Sequence, residues 1–191
     1  DLEGGFDLDG DLGILRSLYR LGLRSLQLPA HNWANNFADS CCSAAKWQGL
    51  NERGRGVVRE MNRLGMVINI SHGSDETMKD ALRISKAPII YSHSSARAIA
   101  RHPRNVPDDI LKLVKENDGV VMINFFPGFI VPESAERMLK MFDVNRELRK
   151  KFPDNKDFDR ERRRYELAHP YPAGDIHDVV DHIDHIVNIA C

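Results

Sequence analysis

Two short apolar segments of this chain each end in a Ser-His pair, and this repetition constrains the fold more than any other feature. The first pair is Ser71-His72, after Met66–Ile70, and the second is Ser92-His93, after Pro88–Tyr91. The 21 residues from one histidine to the next leave room for a single helix, which predicts a parallel strand-helix-strand unit. Neighbouring parallel strands lie about 5 Å apart, so the two imidazoles can reach one ion. A single histidine at a strand end is more often a hydrogen-bonding residue, but the repetition favours a shared site.

Helical and strand patterns alternate along the first part of the chain with a period of about 25 to 30 residues. The predicted helices cover 11–21, 51–64, a segment after the N-cap Ser74 and about 107–116, and the predicted strands cover 23–28, 66–70, 88–91 and 119–124. The strands are continuously apolar, which is typical of parallel strands covered on both faces in an α/β fold. If the sheet closes into a barrel, functional side chains should gather at the carboxyl ends of its strands.

The pattern changes after Phe129, where a charged segment from 133 to 166 predicts two helices separated at Pro153. Its basic run Arg160–Arg164 raises the alternative of nucleic-acid binding, but acidic residues interrupt the run, which favours a solvated helix face. Apolar residues repeat at helical spacing over 175–190. His182 and His185 fall on the polar side of this last helix, so we expect them on the surface and not among metal ligands.

Composition excludes several classes of protein. A formal charge of −1 argues against a dominant phosphate-binding surface, so no nucleic-acid partner is expected. No apolar run reaches the length of a transmembrane helix, and no signal-peptide pattern opens the chain. The cysteines, Cys41, Cys42 and Cys191, form neither a zinc-knuckle pattern nor a disulfide framework. Adjacent Cys41 and Cys42 are poorly placed to bond each other, which predicts free thiols in a loop.

Four side chains are candidates for one site because each lies at or just after a predicted strand end: Glu3, His31, His72 and His93. Imidazole and carboxylate are ligands of zinc and similar metals, and no thiolate is positioned to compete. A catalytic metal ion with an open position lowers the pKa of bound water to about 7 and so supplies hydroxide at neutral pH. Spacing alone therefore indicates metal-assisted hydrolysis, with ordinary strand-end hydrogen bonding as the alternative.

Several motifs resemble those of the membrane (renal) dipeptidase family, the M19 metallopeptidases of the amidohydrolase-like superfamily. They are LEGG, LGILRSLYRLGLRSLQL, ADS, GLNERGRGVVREMNRLGMVINISH, APIIYSHSSAR and HPRNVPDD. The resemblance implies a (β/α)8 TIM-type barrel, of which this chain would supply about strand 3 to helix 7 as a single partial domain over 1–191. The helical insertion at 133–172, which ends in HPYP, is similar to that of bacterial members. Periplasm and cytoplasm are both left open, because any export signal would precede Asp1.

The resemblance also implies catalytic and metal-binding roles for individual residues. Glu3 matches the carboxylate that bridges two zinc ions, and His72 and His93 match the pair that completes the second zinc site. His31 matches the histidine that polarises the scissile carbonyl and stabilises the tetrahedral oxyanion. The implied activity is hydrolysis of dipeptides, including those with a C-terminal D-residue, by a hydroxide that bridges the metal ions.

Two further residues are implied to bind the substrate. Arg104 matches the residue that binds the terminal carboxylate, a task that suits a bidentate guanidinium, although without the resemblance a solvent-facing loop charge is about as well supported. Phe129 occupies the position of a substrate-contacting Tyr in the mammalian enzyme. The expected partner is therefore a dipeptide, and a homodimer is left open.

Some family features are absent from this sequence. Members carry a His-x-Asp on the first strand, which ligates the first zinc ion, and a DFDG-type segment on the last strand, whose Asp transfers protons. We therefore expect this chain to start at the third strand and to stop before the eighth. Asn69 also differs, because an acid is common at that position. The alternative hypothesis is an incomplete or inactive barrel fragment that acts as a structural or weak single-metal-binding module.

Overall fold

The computed structural model describes residues 1–30 and 33–191, and helices and strands alternate along its first part. In chain order the elements are α1 (Leu12–Arg20), β1 (Ser25–Gln27), α2 (Glu52–Leu64), β2 (Val67–Asn69), α3 (Asp75–Ile84), β3 (Ile90–Tyr91), α4 (Asp108–Glu116), β4 (Val120–Val121), α5 (Pro127–Ile130), α6 (Pro132–Lys151), α7 (Asn155–Ala168) and α8 (Ile176–Ala190). The predicted helices are confirmed. The strands are shorter than the apolar runs that predicted them, because only part of each run pairs with a neighbouring strand.

The strands form one parallel sheet in the order β1-β2-β3-β4. Leu26 of β1 lies opposite Ile68 of β2, and Tyr91 of β3 lies opposite Val121 of β4. Each strand therefore pairs with the next one along the chain, with at least one helix in each connection, as in a series of β-α units. This topology brings the carboxyl ends of the strands to one edge of the sheet.

Helices α1 to α4 pack side by side, each against the next, and cover the sheet. The core between the two layers consists of buried apolar side chains, among them Leu15, Val57, Met61, Ile68, Ile70, Met78, Leu82, Ile89, Tyr91, Ile110 and Leu111. Residues at the helix ends fix where these helices start and stop. Ser74 accepts a hydrogen bond from the Thr77 amide at 3.1 Å, as predicted, and Gly65 ends α2 in the left-handed conformation with φ 73°.

The opposite face of the sheet differs from expectation. Val67 is 39% exposed, Met122 is 47% exposed and Val120 is 50% exposed, whereas Ile68, which points to the helices, is buried. Within the described residues, the strands are therefore packed on one face and partly open to solvent on the other. The prediction of coverage on both faces is wrong for this part of the chain.

Helices α6 and α7 form the predicted insertion. The basic run lies on α7, where Arg160 pairs with Asp157 at 2.8 Å and Arg162 pairs with Glu166 at 2.9 Å. These pairs within one helix are those of a solvated helix face. None of the helices in the described part of the chain has the length and apolar character needed to cross a bilayer.

Helix α8 packs against α4 and α5, and one of its histidines corrects the sequence prediction. His182 is fully buried: its Nδ1 accepts a hydrogen bond from the Ala96 amide at 2.9 Å, and its Nε2 donates to the Ile130 carbonyl at 3.1 Å. The prediction of a surface position is wrong, because two backbone groups satisfy both ring nitrogens inside the fold. His185 lies nearer the surface, with its Nε2 2.9 Å from Asp108 Oδ1.

The Glu60 carboxylate links α1 to α2, and we expect this link to make stability depend on pH. It accepts hydrogen bonds from Arg63 at 2.6 Å and from Arg16 at 2.7 Å, and these contacts lower its pKa from 4.5 to about 2. Because the folded-state pKa is depressed, the contribution is present above pH 4.5 and is lost as pH falls towards 2. Glu60→Gln should lower the Tm at neutral pH by about 2 to 4 °C, and the difference should shrink in acid. Calorimetry at several pH values checks this, and a difference that is constant with pH would contradict it.

Candidate metal centre

Glu3 is positioned by a short extended segment that lies beside β1. The Leu2 amide donates to the Ser25 carbonyl at 3.1 Å, and the Gln27 amide donates to the Leu2 carbonyl at 2.9 Å. Gly4 then turns the chain with φ 92°, at a point where an added Cβ would lie 2.7 Å from that of Ala30. The Glu3 side chain therefore projects at the carboxyl edge of the sheet, where the next strands end.

His72 and His93 reach the same edge from β2 and β3. His72 follows β2 in the left-handed conformation, with φ 69°, which a residue with a side chain rarely adopts. Its carbonyl accepts a hydrogen bond from the Cys41 amide at 2.7 Å. The His93 amide donates to the Ser71 hydroxyl at 3.2 Å, which joins the two strand ends. The predicted convergence of the two histidines is confirmed.

The three side chains present one ligand atom each within a space that suits a metal ion. His72 Nε2 lies 3.0 Å from His93 Nε2, Glu3 Oε1 lies 3.3 Å from His72 Nε2, and Glu3 Oε1 lies 3.7 Å from His93 Nε2. Bonds of about 2.0 to 2.1 Å in a tetrahedral zinc site place ligand atoms about 3.3 Å apart. The observed separations bracket this value, so the donor set fits zinc in both chemistry and spacing.

Polar side chains behind the centre orient the His93 ring and join the ends of β2 and β3. Ser92 Oγ lies 2.6 Å from His93 Nδ1, which fixes the ring and leaves Nε2 directed to the centre. Buried Asn69 joins the strand ends: its Nδ2 donates to Ser92 Oγ at 2.7 Å and its Oδ1 accepts from the Ser71 amide at 3.1 Å. In the sequence, Asn69 stands out only as a departure from the family pattern. The one sign of its structural role is that it is a polar residue inside an apolar strand.

The pKa of His93 is lowered from its ordinary value. Burial is the largest cause, because it disfavours the imidazolium, and the nearby positive charge of Arg104 acts in the same direction, while Glu3 opposes both. At neutral pH the ring is therefore in the uncharged form that binds metal ions.

Arg104 lies beside this centre and is 2% exposed. Its Nη2 donates to the His93 carbonyl at 3.0 Å, and its guanidinium carbon lies 5.2 Å from the centre of the Phe129 ring. Its Nε and Nη1 are buried without a hydrogen-bond partner among the described residues. Two unpaired donors on a buried cation are costly unless an anion binds there, so the geometry suits a carboxylate.

His102 supports Arg104 and was missed by sequence reasoning. Its Nδ1 accepts a hydrogen bond from the Arg104 amide at 3.1 Å, and its ring lies 4.9 Å from that of Phe129. Burial and the nearby arginines lower its pKa to about 4, which keeps Nδ1 available as an acceptor. The one signal for it in the sequence is its place at the start of the HPRNVPDD motif, two residues before Arg104.

One candidate residue, His31, and the pair of adjacent cysteines remain. His31 lies outside the described residues. Cys41 and Cys42 are free, as predicted, but their sulfur atoms lie only 2.6 Å apart. The contact with Cys42 is the largest cause that lowers the pKa of the Cys41 thiol, and Arg104 adds to it; the same contact raises the pKa of Cys42.

Known proteins similar to this chain point to one family. The family model for membrane dipeptidase (peptidase family M19) matches residues 1–191. An uncharacterized dipeptidase of Schizosaccharomyces pombe is 52% identical over 132 residues, which cover 69% of this chain and 32% of that protein.

Two solved structures share the fold. The probable dipeptidase PvdM from Pseudomonas aeruginosa has a TM-score of 0.80 at 24% identity, with 98% of this chain and 53% of that one covered. A metallopeptidase from Rhodobacter sphaeroides, liganded with a phosphinate mimic of the dipeptide L-Ala-D-Ala, has a TM-score of 0.69 at 26% identity, with 95% and 43% covered. The α/β fold with a parallel sheet, expected from the sequence as part of a TIM-type barrel, is thus confirmed.

The chain spans about a third of the length of the yeast relative and about half of each solved structure. Because the family model matches it from end to end, the chain belongs to the membrane dipeptidase family, peptidase family M19.

Proposed function

We propose that this chain forms, as a single domain, the metal-binding and carboxylate-binding part of a zinc-dependent dipeptidase. Membership of a metallopeptidase family implies a metal cofactor. The choice of zinc, and of two ions per complete site, is part of the proposal. The observation that carries it is the three-donor set of Glu3, His72 and His93, whose ligand atoms all lie within 4.8 Å of one another.

The substrate proposal depends on Arg104. Its unpaired Nη1, together with the second N–H of Nη2, would bind the terminal carboxylate of a dipeptide as a fork, and the Phe129 ring, whose centre lies 5.2 Å from the guanidinium carbon, would pack against the cation. A buried cation beside the reacting groups selects a substrate whose carboxylate lies one residue from the scissile bond. The metallopeptidase from Rhodobacter sphaeroides binds a mimic of L-Ala-D-Ala, which supports including dipeptides with a C-terminal D-residue.

The proposed chemistry is hydrolysis of one amide bond. When bound, zinc lowers the pKa of a coordinated water to about 7 and polarises the carbonyl of the substrate. Glu3, His72 and His93 would hold the ion, and Ser92 would keep the His93 ring oriented. His31, which lies outside the described residues, is proposed from the family resemblance to stabilise the oxyanion. Arg104 would position the substrate so that its amide bond lies beside these groups.

The second candidate function is a weak single-metal-binding module without hydrolytic activity. One observation favours it. In the described part of the chain, Glu3, His72 and His93 form one three-donor cluster, and no second cluster is found there. A lone site of this kind would bind zinc but would lack the second ion of the proposed mechanism.

A combined zinc and activity measurement distinguishes the two functions. The purified protein is dialysed against zinc, its metal content is measured, and hydrolysis of L-Ala-L-Ala and L-Ala-D-Ala is followed by release of free alanine. Hydrolysis that a chelator abolishes and zinc restores, with about two ions bound, supports the dipeptidase. One ion without hydrolysis supports the module, and absence of zinc binding overturns both.

A further inference from the structure

The loop between β1 and α2 carries two adjacent thiols that contact each other. Cys41 Sγ lies 2.6 Å from Cys42 Sγ, and both cysteines are free and half-buried. A disulfide bond measures about 2.05 Å, so the two sulfur atoms are already close to bonding distance. The third cysteine, Cys191, is exposed at the other end of the chain.

This loop is joined directly to the segment that carries His72. The Cys41 amide donates to the His72 carbonyl at 2.7 Å, and Ser40 pairs with Gly73 as an isolated antiparallel bridge. His72 itself has the unfavourable left-handed backbone conformation described above. A backbone that needs its neighbours to hold such a conformation will move when those neighbours move.

A bond between adjacent cysteines is strained and therefore easily reversed. Consecutive Cα atoms lie about 3.8 Å apart across a trans peptide, whereas disulfide-bonded cysteines usually lie about 4.4 to 6.8 Å apart. Strain of this kind makes a disulfide more easily reduced, which is the property of labile and regulatory bonds.

We propose that Cys41 and Cys42 form a reversible oxidation site that controls the position of His72. The oxidant is a peroxide. The Cys41 sulfur attacks one peroxide oxygen and the O–O bond breaks, which gives a sulfenic acid and, with hydrogen peroxide, one water. The Cys42 sulfur then attacks the Cys41 sulfur, the S–O bond breaks and a second water leaves, so two thiols and hydrogen peroxide yield one disulfide and two waters.

Oxidation changes the metal centre through the backbone. Closing the ring requires the backbone to rotate about the bonds that flank the Cys41–Cys42 peptide, including the N–Cα bond of Cys41. We expect this rotation to tilt the preceding peptide, which carries the Cys41 amide, away from the His72 carbonyl, so that His72 Nε2 moves relative to His93 and Glu3. This consequence depends on the proposed zinc site, whereas disulfide formation itself does not.

The first measurement tests the bond alone. In the Cys191→Ser protein, limited hydrogen peroxide should reduce the intact mass by about 2 Da, the loss of two hydrogens, and dithiothreitol should restore it. Peptide mapping after alkylation should place the change on the peptide that contains Cys41 and Cys42. If both thiols are still alkylated after peroxide treatment, the oxidation site is overturned, whatever the activity of the protein.

The second measurement tests the link to His72. Zinc affinity of the Cys191→Ser protein should fall about 10-fold on oxidation and recover on reduction. The matched control is the cysteine-free protein with Cys41→Ser, Cys42→Ser and Cys191→Ser, whose affinity should not respond to peroxide. A disulfide that forms without a change in zinc affinity overturns the link to His72 but leaves the oxidation site in place. A reduced protein that binds no zinc overturns the proposed metal centre instead.

Discussion

The His93→Ala variant is expected to bind zinc at least about 100-fold more weakly than the unmodified protein and to lose dipeptide hydrolysis. His93 Nε2 lies 3.0 Å from His72 Nε2 and 3.7 Å from Glu3 Oε1, so its removal leaves two donors where three converge. Two ligands cannot fix the geometry that a zinc ion needs. Equilibrium dialysis measures the affinity, and alanine release measures the activity.

A matched control shows whether the effect is specific to His93 or follows from the removal of any histidine. His177 is exposed on α8, so His177→Ala should leave both zinc affinity and activity unchanged. The fold of His93→Ala should also persist, because the His93 ring lies at a strand end and outside the hydrophobic core. Full zinc affinity in a folded His93→Ala protein would contradict the proposed metal centre.

The second large effect is expected at Arg104. Arg104→Gln should reduce kcat/KM for dipeptides at least about 100-fold, because removal of one member of a buried charge pair leaves the carboxylate of the substrate without its partner. Arg104→Lys should recover little of this loss, since an ammonium group cannot reproduce the bidentate geometry. The measurement is the ratio of kcat/KM for L-Ala-L-Ala to that for its C-terminal amide, which should fall towards one in both variants.

Two controls make the Arg104 result specific. Arg101 lies three residues before Arg104 in the same loop and is exposed, so Arg101→Gln should not change the ratio. Zinc content must also be measured, because Arg104 Nη2 donates to the His93 carbonyl. An unchanged substrate ratio with normal zinc content would contradict the carboxylate-binding role.

The order of strands and the meeting of the two histidines were predictable because both follow from local patterns. An apolar run, a glycine that ends a helix and a Ser-His pair recur at regular spacing, and parallel topology then dictates which ends meet. The position of Glu3 was predictable for the same reason. Its neighbour Leu2 extends beside β1 and delivers the carboxylate to the same edge.

Other features could not be read from the sequence because they depend on contacts between distant residues. Asn69 contacts Gln27 and Ser92, which lie 42 and 23 positions away in the chain. His182 lies on the face of α8 that hydropathy marks as polar, yet it satisfies the backbone at Ala96 and Ile130. Hydrophobic periodicity gives the direction of a side chain around its helix. It does not show which backbone groups of the neighbouring segments will hydrogen-bond to that side chain.

Solvent exposure falls steeply across the three donors. The Glu3 side chain is 48% exposed, that of His93 is 29% exposed and that of His72 is 12% exposed. If zinc binds at the proposed centre, it would meet the Glu3 carboxylate first and would lose its hydration shell stepwise as the imidazoles replace water. Release would follow the reverse path, so we expect its rate to depend on how readily the exposed Glu3 side chain moves away from the two histidines.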